Sequence, residues 1–180
     1  MAEYIYVDNS NVFIEGKRIA AIRKGKAHNV RHANEKDISD HSFRLDFGEL
    51  YDFVAEHNPK KIARAVLFGS GISESDKVWQ IAERVGFEAV IVNRNAVNQE
   101  KKVDTGLVAA MVRDAYTKVD KKKDTISLVA GDSDYVPAVE ILTYDGFNVE
   151  VVFWSSVSSE LKSVCSRFIE LDKHLDVLEY

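Results

Sequence analysis

Short apolar runs alternate with amphipathic stretches along this chain, which predicts an α/β fold: a mostly parallel central sheet with helices on both faces. Three observations carry that reading. The runs Tyr4–Val7, Ala63–Phe68, Ala89–Asn93, Ile126–Ala130 and Val149–Phe153 are nearly continuous in apolar residues, as strands buried on both faces are. The stretches between them place apolar residues at helical spacing. The chain has 180 residues and is 46% hydrophobic, enough for one domain with a real core.

The elements follow in order. Tyr4–Val7 is a strand stopped by Asp8-Asn9-Ser10-Asn11, and Val12–Ile22 is a helix candidate. Phe43–His57 carries Phe47, Leu50, Tyr51 and Val54 at helical spacing, and Asn58-Pro59 ends it. Ala63–Phe68 is a strand, and Gly69-Ser70-Gly71 is read as a turn. The helix Ser75–Val85 is faced by Val78, Trp79, Ile81, Ala82 and Val85, with Gly86 as its C-cap. After the strand Ala89–Asn93, the helix Thr105–Tyr116 is lined by Leu107, Val108, Met111, Val112 and Ala115. Ile126–Ala130 is a strand, Val136–Tyr144 a helix, Asp145-Gly146 a turn and Val149–Phe153 the last strand. A closing helix, Ser158–His174, shows Leu161, Val164, Cys165, Phe168 and Ile169 on one face. Lys17–Ser42 lacks clear periodicity and reads as a basic insertion in a single domain spanning 1–180.

Composition excludes several classes. A formal net charge of −5 argues against a generic nucleic-acid coat protein. The single cysteine, Cys165, forbids an intrachain disulfide and fits a reducing compartment. The start MAEYIYVDNSNVF reads as a first strand, not a signal peptide. No apolar run approaches the roughly 18 residues of a membrane span. A cytoplasmic protein without a membrane partner is the expectation.

Four aspartates stand where short apolar runs end: Asp8 in IYVDNSN, Asp104 in KKVDTGL, and Asp132 and Asp134 in LVAGDSD. In an open α/β sheet the strand C-termini line one edge, where ligands bind, so these acids are expected to converge. Crowded carboxylates repel and raise one another's pKa values. A hard divalent cation, Mg²⁺ or Mn²⁺, relieves that repulsion in an all-oxygen site. Each acid also has a plainer reading. Asp134 and Asp104 precede helices and are natural N-caps, and Asp8 suits a turn.

The combination VDNSN, KKVDTGL and LVAGDSDYVPAV, with VEVVFW and SSELKSVCSRFIELD near the end, resembles the NYN domain family of the PIN-like ribonuclease group. The resemblance runs from Tyr4 to about Asp172. It implies a three-layer Rossmann-like fold, an acidic Mg²⁺ or Mn²⁺ site at Asp8, Asp104, Asp132 and Asp134, and cleavage of RNA. One departure stands out. Related domains often place another acid further along the helix after the central VD, where this chain has Ala109-Ala110-Met111. Asp114, ten positions beyond Asp104, is turned away from that face.

Asn11 and Ser133 are polar candidates for holding water or touching a phosphate. Lys101 and Lys102, just before Asp104, are placed to neutralise phosphate. Arg18, Arg23 and Lys24 open a stretch whose only acid is Glu35, which could grip a polyanion or simply be a solvated face. His28 and His32, four apart, are a weak zinc pair, because structural zinc needs four ligands. Cys165 reads as core.

The leading expectation is a metal-dependent endoribonuclease. The alternative is a non-catalytic RNA-binding or regulatory module on the same fold. A phosphatase or nucleotidase is a third reading, weakened because Asn9-Ser10 follows Asp8 where a DxD motif would need another acid. RNA, single-stranded or structured, is the expected partner; a homodimer or a regulatory protein partner stays open.

Overall fold

The computed structural model describes residues 1–71, 76–93 and 99–180, and only the backbone at 76, 93 and 99–102. The chain runs β1 (Glu3–Asp8), α1 (Asn9–Arg23), α2 (Val30–Glu35), α3 (Phe47–Val54), β2 (Ile62–Gly71), α4 (Asp76–Val85), β3 (Glu88–Asn93), α5 (Gln99–Thr117) and β4 (Thr125–Val129). It continues through α6 (Val136–Tyr144), β5 (Asn148–Phe153), α7 (Ser159–Val164), β6 (Arg167–Glu170) and α8 (Leu175–Leu178). Among the described residues the strands form one six-stranded sheet, ordered β3-β2-β1-β4-β5-β6, with every pairing parallel.

The strand order positions the site. The chain builds outward from β1 to β3, then α5 carries it back and β4 starts on the other side of β1. The order reverses between β1 and β4, and the crevice outside their C-terminal ends is the ligand position in such sheets. Asp8 ends β1, and Gly131-Asp132 follow β4 by one residue. Helices cover both faces in a three-layer α/β fold: α1 packs on β1 and β2, α4 on β3, α5 on β1, β2 and β3, and α6 on β5. The central strands are sealed between them. Ile5, Tyr6 and Val7 of β1 and Ile126, Leu128 and Val129 of β4 are fully buried. No helix among the described residues is long and apolar enough to cross a membrane.

Three expectations change. Gly69-Ser70-Gly71 is not a turn but the end of β2, paired with Ile91, Val92 and Asn93. The closing helix stops at Val164. Phe168 and Ile169 belong to β6, which joins the exposed edge of β5. There the Ser166 N–H donates to the Val149 carbonyl (2.8 Å) and the Leu171 N–H to the Phe153 carbonyl (2.9 Å). Backbone satisfaction along an edge strand outweighs continuation of a marginal helix.

The segment 17–42 is also built rather than featureless. It continues α1 to Arg23 and adds α2, capped by Asn29. Its cations meet carboxylates both within the segment and far along the chain: Arg23 pairs with Asp176 (2.8 Å), and Lys24 with Asp40 of the same segment and with Glu179 (2.6 Å each). Lys26 reaches Asp40 at 3.0 Å, and Asp40 is 1% exposed. The ammonium groups of Lys24 and Lys26 hold the Asp40 carboxyl well below the usual carboxylate range.

Candidate active site

Asp8 closes the central strand and caps the helix that follows. Its Oδ1 accepts the Asn11 N–H at 3.1 Å. Asn11 in turn ties this loop to the one after β4, because its side-chain oxygen accepts the Gly131 N–H at 2.7 Å. Gly131 is required there: a Cβ would lie 2.1 Å from the Phe153 ring, so the loop crosses that ring only without a side chain. Asp132 then caps the short 3-10 turn Ser133–Tyr135. Its Oδ1 accepts the Asp134 N–H (3.2 Å) and the Ser133 hydroxyl (3.4 Å). Asp134 does not cap α6, which lacks a side-chain cap. Asp132, Ser133 and Asp134 are exposed at the rim.

Asp104 comes from a different setting than its sequence indicates. It is neither at a strand end nor an N-cap, because α5 starts at Gln99 and Asp104 stands in the helix's second turn. From there it is half-buried, and it meets Asp8 through Tyr135. The Tyr135 hydroxyl lies 2.8 Å from Asp8 Oδ2 and 3.2 Å from Asp104 Oδ1, so one phenolic proton serves two carboxylates. Tyr135 is the residue that sequence reasoning missed. Its position directly after GDSD passes for core packing, but a buried tyrosine needs a partner for its hydroxyl, and in a cluster of acids that partner is a carboxylate.

The electrostatics follow from burial and from the neighbouring acids. Burial pushes the Asp8 carboxyl up, the Asn11 and Ser10 N–H groups and the Tyr135 hydroxyl pull it back, and the charge of Asp132 adds to the rise. Asp104 is pushed up to about 6, first by burial and then by the charge of Asp8; Asp132 and Asp134 add to the rise, against the hydrogen bond from Tyr135. All three other acids therefore act on Asp104. Burial and the two carboxylates drive the Tyr135 phenol far upward, which keeps it protonated and a donor.

Among the described residues, no three His, Cys, Asp or Glu side chains stand close enough to hold one metal ion. The donor set nonetheless fits a hard cation. It offers two adjacent carboxylates and no soft ligand, and Mg²⁺ commonly takes one or two carboxylates and keeps several waters.

Asp114 serves elsewhere. It is fully buried. Its Oδ2 accepts from the Tyr6 hydroxyl (2.8 Å) and from Arg64, and Lys118 stands 3.0 Å from its Oδ1. Burial pushes this carboxyl up, but Tyr6, Lys118 and Arg64 together hold it below its ordinary value. Among the basic candidates, Arg18 pairs with Glu15, while Arg23 and Lys24 hold the pairs already described. The side chains of Lys101 and Lys102 lie outside the described residues. His28 and His32 stack with ring centroids 4.8 Å apart, and His32 Nδ1 accepts the His28 N–H. Trp154, buried, donates to the Val12 carbonyl at 2.8 Å and does not border the cleft.

The fold is a parallel α/β sheet with carboxylates brought to its reversal point. The NYN domain model matches residues 4–172, and the chain belongs to that family, whose domains are PIN-like and nuclease-like. A crystal structure of a protein of unknown function from Vibrio parahaemolyticus is similar at 18% identity, with a TM-score of 0.68 over 99% of this chain and 96% of that one. That likeness concerns the fold. A comparison with curated proteins finds no match.

Proposed function

We propose that this protein is a divalent-cation-dependent endoribonuclease, with Asp8 and Asp104 as the residues that hold the cation. The observation that carries the reading is the Tyr135 hydroxyl set between these two carboxylates, in a pocket where Asp104 is raised to about 6. Two acids kept together against their mutual repulsion are a site prepared for positive charge. Mg²⁺ or Mn²⁺, when bound, would supply Lewis-acid stabilisation of charge on the phosphodiester oxygens. Tyr135 orients both carboxylates. Asn11 fixes the spacing of the two acidic loops through Gly131. Asp132 and Asp134, exposed at the rim, orient water and outer contacts, with Ser133 beside the phosphate. RNA as the substrate class rests on membership of the family.

The direct test is incubation of single-stranded RNA with Mg²⁺ or Mn²⁺, using wild type and Asp104→Asn at equal folded concentration. Cleavage by wild type and its loss in the variant support the proposal; equal cleavage by both rejects it.

A second reading has its own observation. The next acid along α5, Asp114, is committed to Tyr6, Arg64 and Lys118, and Met111 is buried in the core. A non-catalytic RNA-binding role accommodates a site with fewer acids. RNA binding that survives chelation, without cleavage under either metal, favours it.

A further inference from the structure

A groove of ≈ 980 Å³ begins one residue beyond Asp8, where Asn9 lines it together with Phe13, Lys17, Arg44 and Trp79. Asn9, Phe13 and Lys17 recur at four-residue steps on one face of α1. That face leads away from the acidic site for about 12 Å at 1.5 Å per residue. We propose that this groove holds the unstacked nucleotides of a single-stranded RNA flanking the bond presented to Asp8 and Asp104. The inference rests on RNA being the substrate class of the proposed function, and it adds the strand form and the path.

Charge is the first argument. Lys24 and Lys26 are bound to buried Asp40, but the two groove cations meet no carboxylate among the described residues. The Lys17 ammonium lies over the Phe13 ring at 4.4 Å, and the Arg44 guanidinium donates to the carbonyls of His41 and Phe43, at 2.8 Å each. A phosphate outcompetes a ring or a carbonyl for such groups. Among the described lining residues the one side-chain carboxylate is Asp46, and its Oδ1 is engaged in capping α3 through the N–H groups of Gly48 and Glu49.

The second argument is an unmet donor. Trp79 is 4% exposed, yet its Nε1 has no hydrogen-bond partner among the described residues. The indole is seated by design of the backbone: a Cβ at Gly69 would lie 2.4 Å from its Cη2 and 3.3 Å from Asn9 Cβ. A buried N–H without an acceptor is costly, and base and ribose oxygens are acceptors. The aromatic surface open to a base is the partly exposed Phe13 ring beside Lys17, and aromatic rings beside cations hold single strands, whose bases stack without regard to sequence. A second copy of this chain would instead need carboxylates and carbonyls facing these donors.

The test is fluorescence anisotropy with a labelled, unstructured RNA of about 12 nucleotides, in the Asp104→Asn background so that binding is read without cleavage. Lys17→Ala combined with Arg44→Ala is expected to weaken binding by about fivefold or more and to flatten its salt dependence. Trp79→Phe, which keeps a ring but removes the N–H, is expected to weaken binding at unchanged salt slope. Circular dichroism checks that each variant folds, and if Trp79→Phe does not, the double variant decides. Wild-type affinity and salt slope in the double variant overturn the groove proposal, while Asp104-dependent cleavage would leave the nuclease reading standing. Groove-dependent binding with no cleavage under any metal upholds the groove and removes the catalytic reading. If sedimentation shows that Ile81→Glu dissolves a dimer while RNA affinity stays unchanged, a second copy occupies the groove and the proposal fails.

Discussion

Two carboxylates of helix α5, Asp104 and Asp114, each touch the hydroxyl of a buried tyrosine, and they behave in opposite ways. Asp114 meets Tyr6, Arg64 and Lys118 and is held below its ordinary value. Asp104 meets Tyr135 and three other acids and is raised to about 6. The same helix and the same phenol–carboxylate contact thus give a finished ion-pair network at one end and an unbalanced site at the other. The difference lies in the countercharge. Where the protein supplies cations, the acid is structural; around Asp104 the described residues supply only acids and a neutral donor, the setting that the proposed cation would balance.

The largest expected effect breaks the structural end. Asp114→Ala leaves the Tyr6 hydroxyl and the Arg64 guanidinium without their buried acceptor. It should cost about 3–5 kcal/mol, as loss of one partner of a buried pair does, and a urea midpoint reads it. Asp104→Asn probes the other end and should do the reverse. Cleavage falls on the order of 100-fold, while metal-free stability holds or rises because a repelled charge is gone.

The pH dependence sharpens the contrast. The Asp104 carboxyl binds its proton more tightly folded than unfolded. Its contribution favours the native state below 3.8 and is lost as pH rises from there through about 6. Asp114 is depressed, so its stabilisation is present above 3.8 and is lost as pH falls through its lowered value. Urea midpoints of wild type and Asp104→Asn should therefore diverge across pH 3.8 to 6 without metal, with wild type losing relative stability as pH rises. Saturating Mn²⁺ should reverse the divergence, because only wild type gains stability by binding the cation; an unchanged divergence would mean that no cation reaches Asp104.

Tyr135→Phe comes next. It removes a hydrogen bond to a charged group, at about 1.5–3 kcal/mol, and should slow cleavage about 10-fold by loosening Asp8 relative to Asp104. Arg23→Ala is the smallest. Its pair with Asp176 is exposed on both sides, so stability should change by less than about 0.5 kcal/mol. RNA affinity that drops sharply in this variant would restore the basic segment as a nucleic-acid grip.

Legibility in the sequence followed the range of the interactions. The strands around Asp8 and Asp132 are readable because near-continuous apolar runs reflect burial on both faces. Asp104 was misplaced because Lys101-Lys102-Val103 reads as the end of an extended run, whereas α5 already began at Gln99. β6 was hidden because Leu161, Val164, Cys165, Phe168 and Ile169 satisfy helical spacing, and only pairing of 167–170 with β5 decides otherwise. The pairing of the basic stretch after Lys17 was not legible because its carboxylates meet it only in the fold: Asp40 closes back on Lys24 and Lys26, and Asp176 and Glu179 lie some 150 residues away. Tyr135 escaped notice because its role exists only once two distant acids arrive on either side of its hydroxyl.

The central claim is that the Asp8–Asp104 end of the molecule receives a divalent cation and the Asp114 end does not. Electron paramagnetic resonance of Mn²⁺ titrated into the protein measures this directly. Wild type is predicted to immobilise Mn²⁺ at a site that Asp104→Asn removes and Arg23→Ala keeps. Equal Mn²⁺ binding by wild type and Asp104→Asn would contradict the account.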